Sequence, residues 1–267
     1  MAGQHGMNDA APSALPQARL LWLGDCALTL EFGSVADPGI HARVLGFAQA
    51  LEARAAAGQM SGVVEWVPTL RSVTVYFDPE RIDGETLAAD LEVLARGSGS
   101  LAVAGVRWRL PVCFEPGFAP DLEELAAAKA LSVQQVIQLM TQTVFHVYML
   151  GFQPGFGFMG GLPEVLEMPR LASPRKRVPA GSIGVAQRLC SVYPWDSPGG
   201  WRLLGRTPVP LFDATDANRP ALLAPGDQVL WYAVDRDGYE ALQARYEASA
   251  LDRASLRAQV APDGILR

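Results

Sequence analysis

The sequence contains few residues that hold metals through sulfur or imidazole. Its 267 residues include three cysteines and three histidines. Cys26, Cys113 and Cys190 are widely separated and form no C-x-x-C pair, so a structural zinc site is not indicated and we predict no bound metal. An odd, sparse set of cysteines fits reduced thiols, which predicts a cytoplasmic protein.

Charged residues are also scarce, at 19% of the chain, and the formal net charge is −6. An acidic balance argues against a nucleic-acid partner. The longest stretch without a charged residue, 130–163, is interrupted by glutamine, proline and glycine, which excludes a membrane-spanning helix there. Residues 1–17 lack the basic start and apolar core of a secretion signal, so we interpret them as a flexible leader and expect no membrane partner.

Motifs that would identify a nucleotide site or a nucleophile are missing from the sequence. The glycine-rich segment GFQPGFGFMGG (151–161) matches neither a phosphate loop nor a dinucleotide fingerprint. No serine lies in a G-x-S-x-G frame. His146 lies in an apolar strand pattern and is more typical of a packed residue than of a catalytic base. Cys190, near Arg188, is more typical of a buried thiol than of a reactive one. We therefore assign no catalytic residue from these patterns.

Hydrophobic periodicity predicts the elements of the first hundred residues. Residues 27–33 alternate apolar and polar side chains, as a half-buried strand does, and a helical pattern follows Asp37-Pro38 and ends at Gly58. Two strands, 63–70 and 71–79, and a second helix, 85–96, complete a β-α-β-β-α order. This order predicts a small α/β sandwich.

The second half of the chain is rich in turns. After a strand at 106–115 and two helices, the segment Gly151–Pro210 holds ten glycines and nine prolines between short β-prone pieces. This texture predicts a barrel-like β domain whose last strand is 224–234. The fold class is therefore α+β, with expected domains at 18–100 (α/β), 101–240 (β-barrel) and 241–267 (C-terminal helical segment).

Positive charge is concentrated in one part of this turn-rich region. Residues 170–206 carry seven basic residues against the single acid Asp196, a local charge of +6 in a chain of net −6. Two interpretations stay open: a solvated or partner-docking basic face, and a pocket for a small anion held by arginine and by backbone N–H groups. Phe152, Phe156 and Phe158 either floor such a pocket or pack a tight turn.

Long segments resemble a known family. MLGFQPGFGFMGGLP, PRLASPRKRVPAGSIGVA and YPWDSPGGWRLLGRTPVPLFD are similar to the family of the 5-oxoprolinase B subunit, also called KipI or allophanate hydrolase subunit 1. The resemblance extends over about residues 18–235. It implies a small N-terminal α/β domain followed by a C-terminal cyclophilin-like β-barrel.

The resemblance also implies a function. In the family, the B component works with A and C components in ATP-dependent opening of 5-oxoproline, and a related module forms part of the carboxyltransferase region of urea carboxylase. We therefore expect one component of a heteromeric enzyme, which works with a homologue of the C component, and with an A component, on a small anionic amide or urea-like substrate. ATP is expected at the level of the complex. The alternative is a KipI-type regulator that binds and inhibits a sensor histidine kinase without catalysis.

The expected substrate-binding residues come from the motifs that this chain shares with the family. They are Arg175, Arg177, Tyr193, Gly199, Gly200, Trp201 and Arg206, with Phe152 and Phe156 as the pocket wall. The chain departs from the family pattern at Leu189, Cys190 and Ser191, which replace the usual Gln, Thr and Gly, and at Met140, which replaces a frequent His. Leucine offers no hydrogen bond where glutamine offers several, so a changed substrate is one expectation from these departures.

Overall fold

A computed structural model describes residues 17–100, 105–248 and 252–258. The elements of the first region are β1 (Arg19–Trp22), β2 (Ala27–Glu31), α1 (Pro38–Ala56), β3 (Val63–Pro68), β4 (Ser72–Phe77) and α2 (Gly84–Gly97). The four strands form an antiparallel sheet in the order β1-β2-β4-β3.

The sandwich forms because the two helices cover one face of this sheet. Alternation along β4 directs Val73, Val75 and Phe77 into a core that also receives the apolar sides of α1 and α2. The Asp37 carboxylate accepts hydrogen bonds from the N–H groups of Gly39 and Ile40, which caps α1 where the sequence predicts its start. The α/β sandwich expected from the sequence is therefore confirmed.

One strand of the sandwich, β1, is missing from the predicted order. Its residues, RLLW, show no alternation of apolar and polar side chains, and Leu21 and Trp22 are exposed at the sheet edge. Edge pairing with β2, rather than burial, makes this segment a strand. Local periodicity could not indicate it.

The second region is a closed barrel. Its strands are β5 (Arg107–Cys113), β6 (Val144–Leu150), β7 (Gly157–Gly160), β9 (Ser182–Ala186), β10 (Leu189–Val192), β12 (Arg202–Arg206) and β13 (Gln228–Val234). Around the barrel they follow the order β10-β7-β6-β13-β5-β12-β9. Pairing of β9 with β10 closes the barrel, and β5 and β13 pair in parallel. This confirms the barrel predicted from the turn-rich texture.

Further elements surround the barrel. Helices α3 (Leu122–Ala128) and α4 (Val133–Gln142) connect β5 to β6, and Ser132 and Gln135 form a capping box at the start of α4. A two-stranded ribbon pairs β8 (Arg175–Val178) with β11 (Ser197–Gly199). This ribbon brings the basic segment beside the PGGW turn.

The C-terminal part contains α5 (Arg236–Glu247) and a 3₁₀ turn at Arg253–Leu256. The helical pattern that the sequence continues beyond Glu247 does not form one helix, because Ala248 is the C-cap of α5. Residues 1–16 of the expected leader lie outside the described residues. The sandwich and the barrel have separate hydrophobic cores, while the proposed domain limits stay predictions.

Candidate functional site

An aromatic cavity of about 360 Å³ opens beside the PGGW turn. Three loops build it: the turn between β6 and β7, the segment before β8, and the stretch from β10 to β12. The lining residues are Phe152, Phe156, Phe158, Arg170, Pro174, Tyr193, Pro198, Gly199, Gly200 and Trp201. The volume lies near the lower end of the range of about 300–1,000 Å³ that holds small ligands.

Phe156 organises the walls of the cavity. Its ring is almost fully buried and makes edge contacts with Tyr193 at 5.3 Å and with Trp201 at 5.9 Å between ring centroids. Phe152 contacts Phe156 at 5.2 Å and is itself 67% exposed, in a left-handed backbone conformation with φ of 68°. Three aromatic rings of the wall therefore pack around Phe156, and one of them, Phe152, is exposed to solvent.

The glycine at position 199 allows the Tyr193 side chain to pack directly against the backbone of the PGGW turn. A Cβ atom on Gly199 would lie 2.3 Å from the Tyr193 hydroxyl oxygen, closer than any side chain tolerates. Gly200 has more space, since the nearest heavy atom to its Cβ would be Pro174 Cβ at 3.6 Å. The first glycine of the pair is thus required by close packing against Tyr193.

Tyr193 is a protonated phenol in this environment. Burial raises its pKa above the ordinary value, while a hydrogen bond with the Trp201 backbone and the charges of Arg170 and Arg175 lower it by less. The hydroxyl therefore keeps its proton at neutral pH and can donate a hydrogen bond.

Arg175 and Arg177, both expected to bind the substrate, pair with carboxylates outside the wall of the aromatic cavity, and their role in binding stays a prediction. Arg175 Nη2 lies 2.5 Å from Oδ1 of the buried Asp121, whose Oδ2 accepts a hydrogen bond from Leu203 N. Arg177 Nη2 lies 2.5 Å from Asp196 Oδ2 on the exposed side of the ribbon. Neither side chain lines the cavity.

Arg206, Arg202 and Arg188 also lie away from the cavity wall. Arg206 packs with its guanidinium 5.5 Å from the Phe118 ring, and its charge opposes the rise that burial causes in the pKa of Tyr239. Arg202 pairs with Glu124 at 2.6 Å, and Arg188 with Glu164 at 3.4 Å. Acids from outside residues 170–206 therefore neutralise much of the local charge that the sequence concentrates there.

Arg170 is the charged member of the cavity wall among the described residues, and sequence reasoning did not assign it to the site. Its Cζ lies 5.8 Å from the Trp201 ring centroid, and it has no carboxylate partner within the described part of the chain. The neighbouring Leu171 N donates to Gly200 O at 2.7 Å, which holds this segment against the PGGW turn. The sequence offered one signal, the presence of Arg170 in the basic segment, but only the fold separates it from the paired arginines.

The departures from the family pattern lie outside the aromatic cavity. Met140 and Cys190 are fully buried in the barrel core, and burial raises the pKa of the Cys190 thiol far above its ordinary value. Leu189 lines a second, larger cleft of about 950 Å³ between the sandwich and the barrel. Met140 and Cys190 therefore change barrel packing, whereas Leu189 lines this cleft and also packs against the aromatic cluster of Phe156, Tyr193 and Trp201.

His146 lies on β6 and lines the same cleft as Leu189. Its pKa is lowered by burial and by the charge of Arg107. Nearby, the buried His41 of α1 makes an edge contact with Tyr148 of β6 at 4.9 Å, and its pKa is lowered mainly by burial. The pair of histidines therefore lies where the sandwich packs on the barrel.

Among the described residues, no group of three or more His, Cys, Asp or Glu side chains is placed to hold a metal ion. None of the helices in the described ranges is long and apolar enough to cross a bilayer.

Residues 18–223 match the family model described as carboxyltransferase domain, subdomain C and D. The chain is 37% identical over 230 residues to the 5-oxoprolinase B subunit of Bacillus subtilis, covering 82% of this chain and 94% of the relative. The chain belongs to the 5-oxoprolinase B-subunit family. The corresponding 5-oxoprolinase protein of Escherichia coli O157:H7 is also 37% identical, over 80% of this chain and 95% of its own length.

The fold of this family member occurs inside larger enzymes. The crystal structure of Kluyveromyces lactis urea carboxylase superposes with a TM-score of 0.74 over 91% of this chain at 22% identity. The chain corresponds to 24% of that protein. At this identity the likeness establishes the shared sandwich and barrel. The family match itself identifies a carboxyltransferase-type subunit.

Proposed function

We propose that this protein is the B component of a 5-oxoprolinase-type enzyme, which works with C-type and A-type partners on a small anionic cyclic amide or urea-like substrate. The observation that carries the proposal is the 37% identity to the 5-oxoprolinase B subunit over nearly the whole length of that relative. The aromatic cavity supports it, because a compact apolar site with one cation suits a small ring that bears a carboxylate.

The chain's own contribution to the reaction is binding and orientation. The described residues contain no pair of nucleophile and base at the cavity, whose polar side chains are Arg170 and Tyr193. Aromatic walls exclude water and fix the plane of a small ring, which favours reaction by restricting its orientation. The groups that form and break bonds are therefore assigned to the partner subunits.

The ATP of the proposed reaction is also assigned to a partner. The glycine-rich segment 151–161 turns from β6 into β7 and does not lead into a helix, so it offers no helix N-terminus to a phosphate. The residues of this segment do not fit a nucleotide phosphate site.

Reconstitution tests this function. The full chain is tagged, expressed with the A-type and C-type subunits of its own host, and assayed for 5-oxoproline-dependent ATP hydrolysis and glutamate formation. We expect coupled turnover and copurification of the C-type partner. Phe152→Ala should raise KM several-fold because it removes the exposed wall of the cavity. Trp195→Ala is the matched control, since Trp195 is an exposed aromatic residue that does not line the cavity. A complex of all three proteins that does not open 5-oxoproline or a related cyclic amide would contradict the proposal.

A KipI-type regulator is the second candidate. The exposed ring of Phe152 beside an apolar cavity favours it, since such a surface can also dock a protein segment. The purified chain alone would then inhibit autophosphorylation of a sensor histidine kinase from its host, without any C-type partner. Unchanged autophosphorylation at saturating concentrations of the chain would reject this role.

A further inference from the structure

The aromatic cavity has one feature that its family motifs do not explain. Its walls are aromatic, proline and glycine residues, yet the side chain of Arg170 lies at the mouth without a carboxylate partner among the described residues. In the same basic segment, Arg175, Arg177, Arg188 and Arg202 all pair with acids. An unpaired cation at an apolar cavity is the arrangement expected of a recognition residue.

Within residues 17–100, 105–248 and 252–258, no hydrogen bond or ion pair uses the N–H donors of Arg170. Its guanidinium lies 5.8 Å from the Trp201 ring centroid, within the distance of a cation–π contact. Such a contact uses the face of the guanidinium group, whereas hydrogen bonds to an anion use the N–H groups in its plane. Arg170 can therefore contact Trp201 and bind a planar anion through two N–H donors at the same time.

A second polar group lies in the same wall. Tyr193 is almost fully buried, and its hydroxyl is held beside Gly199, next to the turn that carries Trp201. The charge of Arg170 reaches Tyr193, since it lowers the pKa of this phenol. A carboxylate bound to the guanidinium group of Arg170 would have the Tyr193 hydroxyl nearby as a second hydrogen-bond donor.

We propose that Arg170 is the specificity-determining residue of the cavity and selects ligands that carry a carboxylate on a flat or cyclic apolar body. The ring lies in the cavity that Phe152, Phe158 and Trp201 line, and the carboxylate meets Arg170 at the mouth. The inference rests on the proposed function in placing the substrate in this cavity. It goes further in assigning anion selection to one arginine that differs from Arg175, Arg177 and Arg206.

Binding of two isosteric probes to the full chain tests the assignment. 4-Fluorobenzoate and 4-fluorobenzamide have the same ring, and ¹⁹F NMR titration reports the binding of each. We expect the acid to bind more tightly than the amide to the parent chain. Arg170→Gln should lower the affinity for the acid about tenfold, because a charge-assisted bidentate contact is lost. Its affinity for the amide should equal that of the parent chain. Arg170→Lys should bind the acid more tightly than Arg170→Gln but less tightly than the parent, since lysine keeps the positive charge but lacks the paired N–H donors of the guanidinium group.

Arg177→Gln is the matched control, because Arg177 is a cation of the same segment that pairs with Asp196 away from the cavity. It should bind both probes as the parent does. The assignment would be overturned if the parent and Arg170→Gln bound the acid with equal affinity. It would also be overturned if the parent bound acid and amide equally, or did not bind the acid.

The same variants separate this inference from the proposed function. In the reconstituted complex, Arg170→Gln should raise the KM for 5-oxoproline with little change in kcat. Arg170-dependent binding of fluorobenzoate without turnover of any cyclic amide would reject the proposed reaction and keep the recognition role. Turnover with an unchanged KM in Arg170→Gln would reject the recognition role alone.

Discussion

The hydroxyl oxygen of Tyr193 occupies the space that a side chain at position 199 would need. An added Cβ at Gly199 would approach this oxygen to 2.3 Å, and Tyr193 cannot retreat because its ring packs against Phe156. The PGGW turn therefore has a steric reason for its first glycine, and both residues of this contact line the aromatic cavity.

Gly199→Ala should displace Tyr193 and damage the cavity. We expect a loss of about 1–3 kcal/mol in the free energy of unfolding, as is usual when a side chain is forced into a packed site. The affinity of this variant for 4-fluorobenzoate should also decrease. Gly200→Ala, where the added methyl group meets only ordinary contacts, should change both quantities little. Urea denaturation and ¹⁹F titration measure them, and equal effects of the two substitutions would contradict the steric argument.

Arg175 should stabilise the fold rather than bind a ligand. Its carboxylate partner Asp121 is buried and also accepts the Leu203 N–H, so the pair links the ribbon to β12. Arg175→Gln should therefore lower the free energy of unfolding by about 2 kcal/mol, the scale of a hydrogen bond to a charged group. Arg177→Gln removes an exposed pair and should cost about 0–1 kcal/mol. Denaturant midpoints compare the two variants, and the reverse order would refute the structural role of Arg175.

Acidification should weaken the contact between the sandwich and the barrel through His41. Burial lowers its pKa, with a smaller contribution from His146 in the same direction and an opposing backbone hydrogen bond at Tyr148. The unfolded chain then binds more protons than the native chain below pH about 6.5, so stability decreases as the pH falls through that value. His41→Phe should unfold with a smaller loss of stability between pH 7.5 and pH 5.5 than the parent.

Urea titrations at both pH values provide the measurement. His146 contributes its own lowered pKa in both proteins, so the difference between parent and variant isolates His41. An identical pH dependence in the two chains would show that His41 does not titrate as the burial implies.

Cys190 should be unreactive in the native protein despite its place in a family motif. It is fully buried in the barrel core, and burial raises the pKa of its thiol, which suppresses the reactive thiolate. Cys113 is also buried, whereas Cys26 is exposed. A disulfide reagent should therefore modify Cys26 rapidly and the other two thiols only after denaturation. Rapid labelling of native Cys26→Ser at either buried cysteine would contradict this.

Local sequence patterns predicted most helices and strands of this chain because interactions between residues close in sequence determine where these elements form. Alternation in β4, the Asp37-Pro38 cap of α1 and the Ser132 cap of α4 depend on neighbours within a few residues. Strand β1 escaped prediction because its β structure depends on pairing with β2, a contact that local periodicity does not record. The barrel was predicted from turn density, but its strand order was not, since closure joins strands far apart in sequence.

The sequence by itself, through its resemblance to the family, indicated the aromatic and glycine residues that line the cavity. Tyr193, Gly199, Gly200, Trp201, Phe152 and Phe156 lie together in its wall, and their role in substrate binding stays a prediction. Only the tertiary structure decided which arginine faces that wall. Charge in a sequence can be counted along a window, but Asp121 and Glu124 reach Arg175 and Arg202 from another part of the chain. Because ion pairing depends on distance in space, folding neutralises those cations and leaves Arg170 at the cavity.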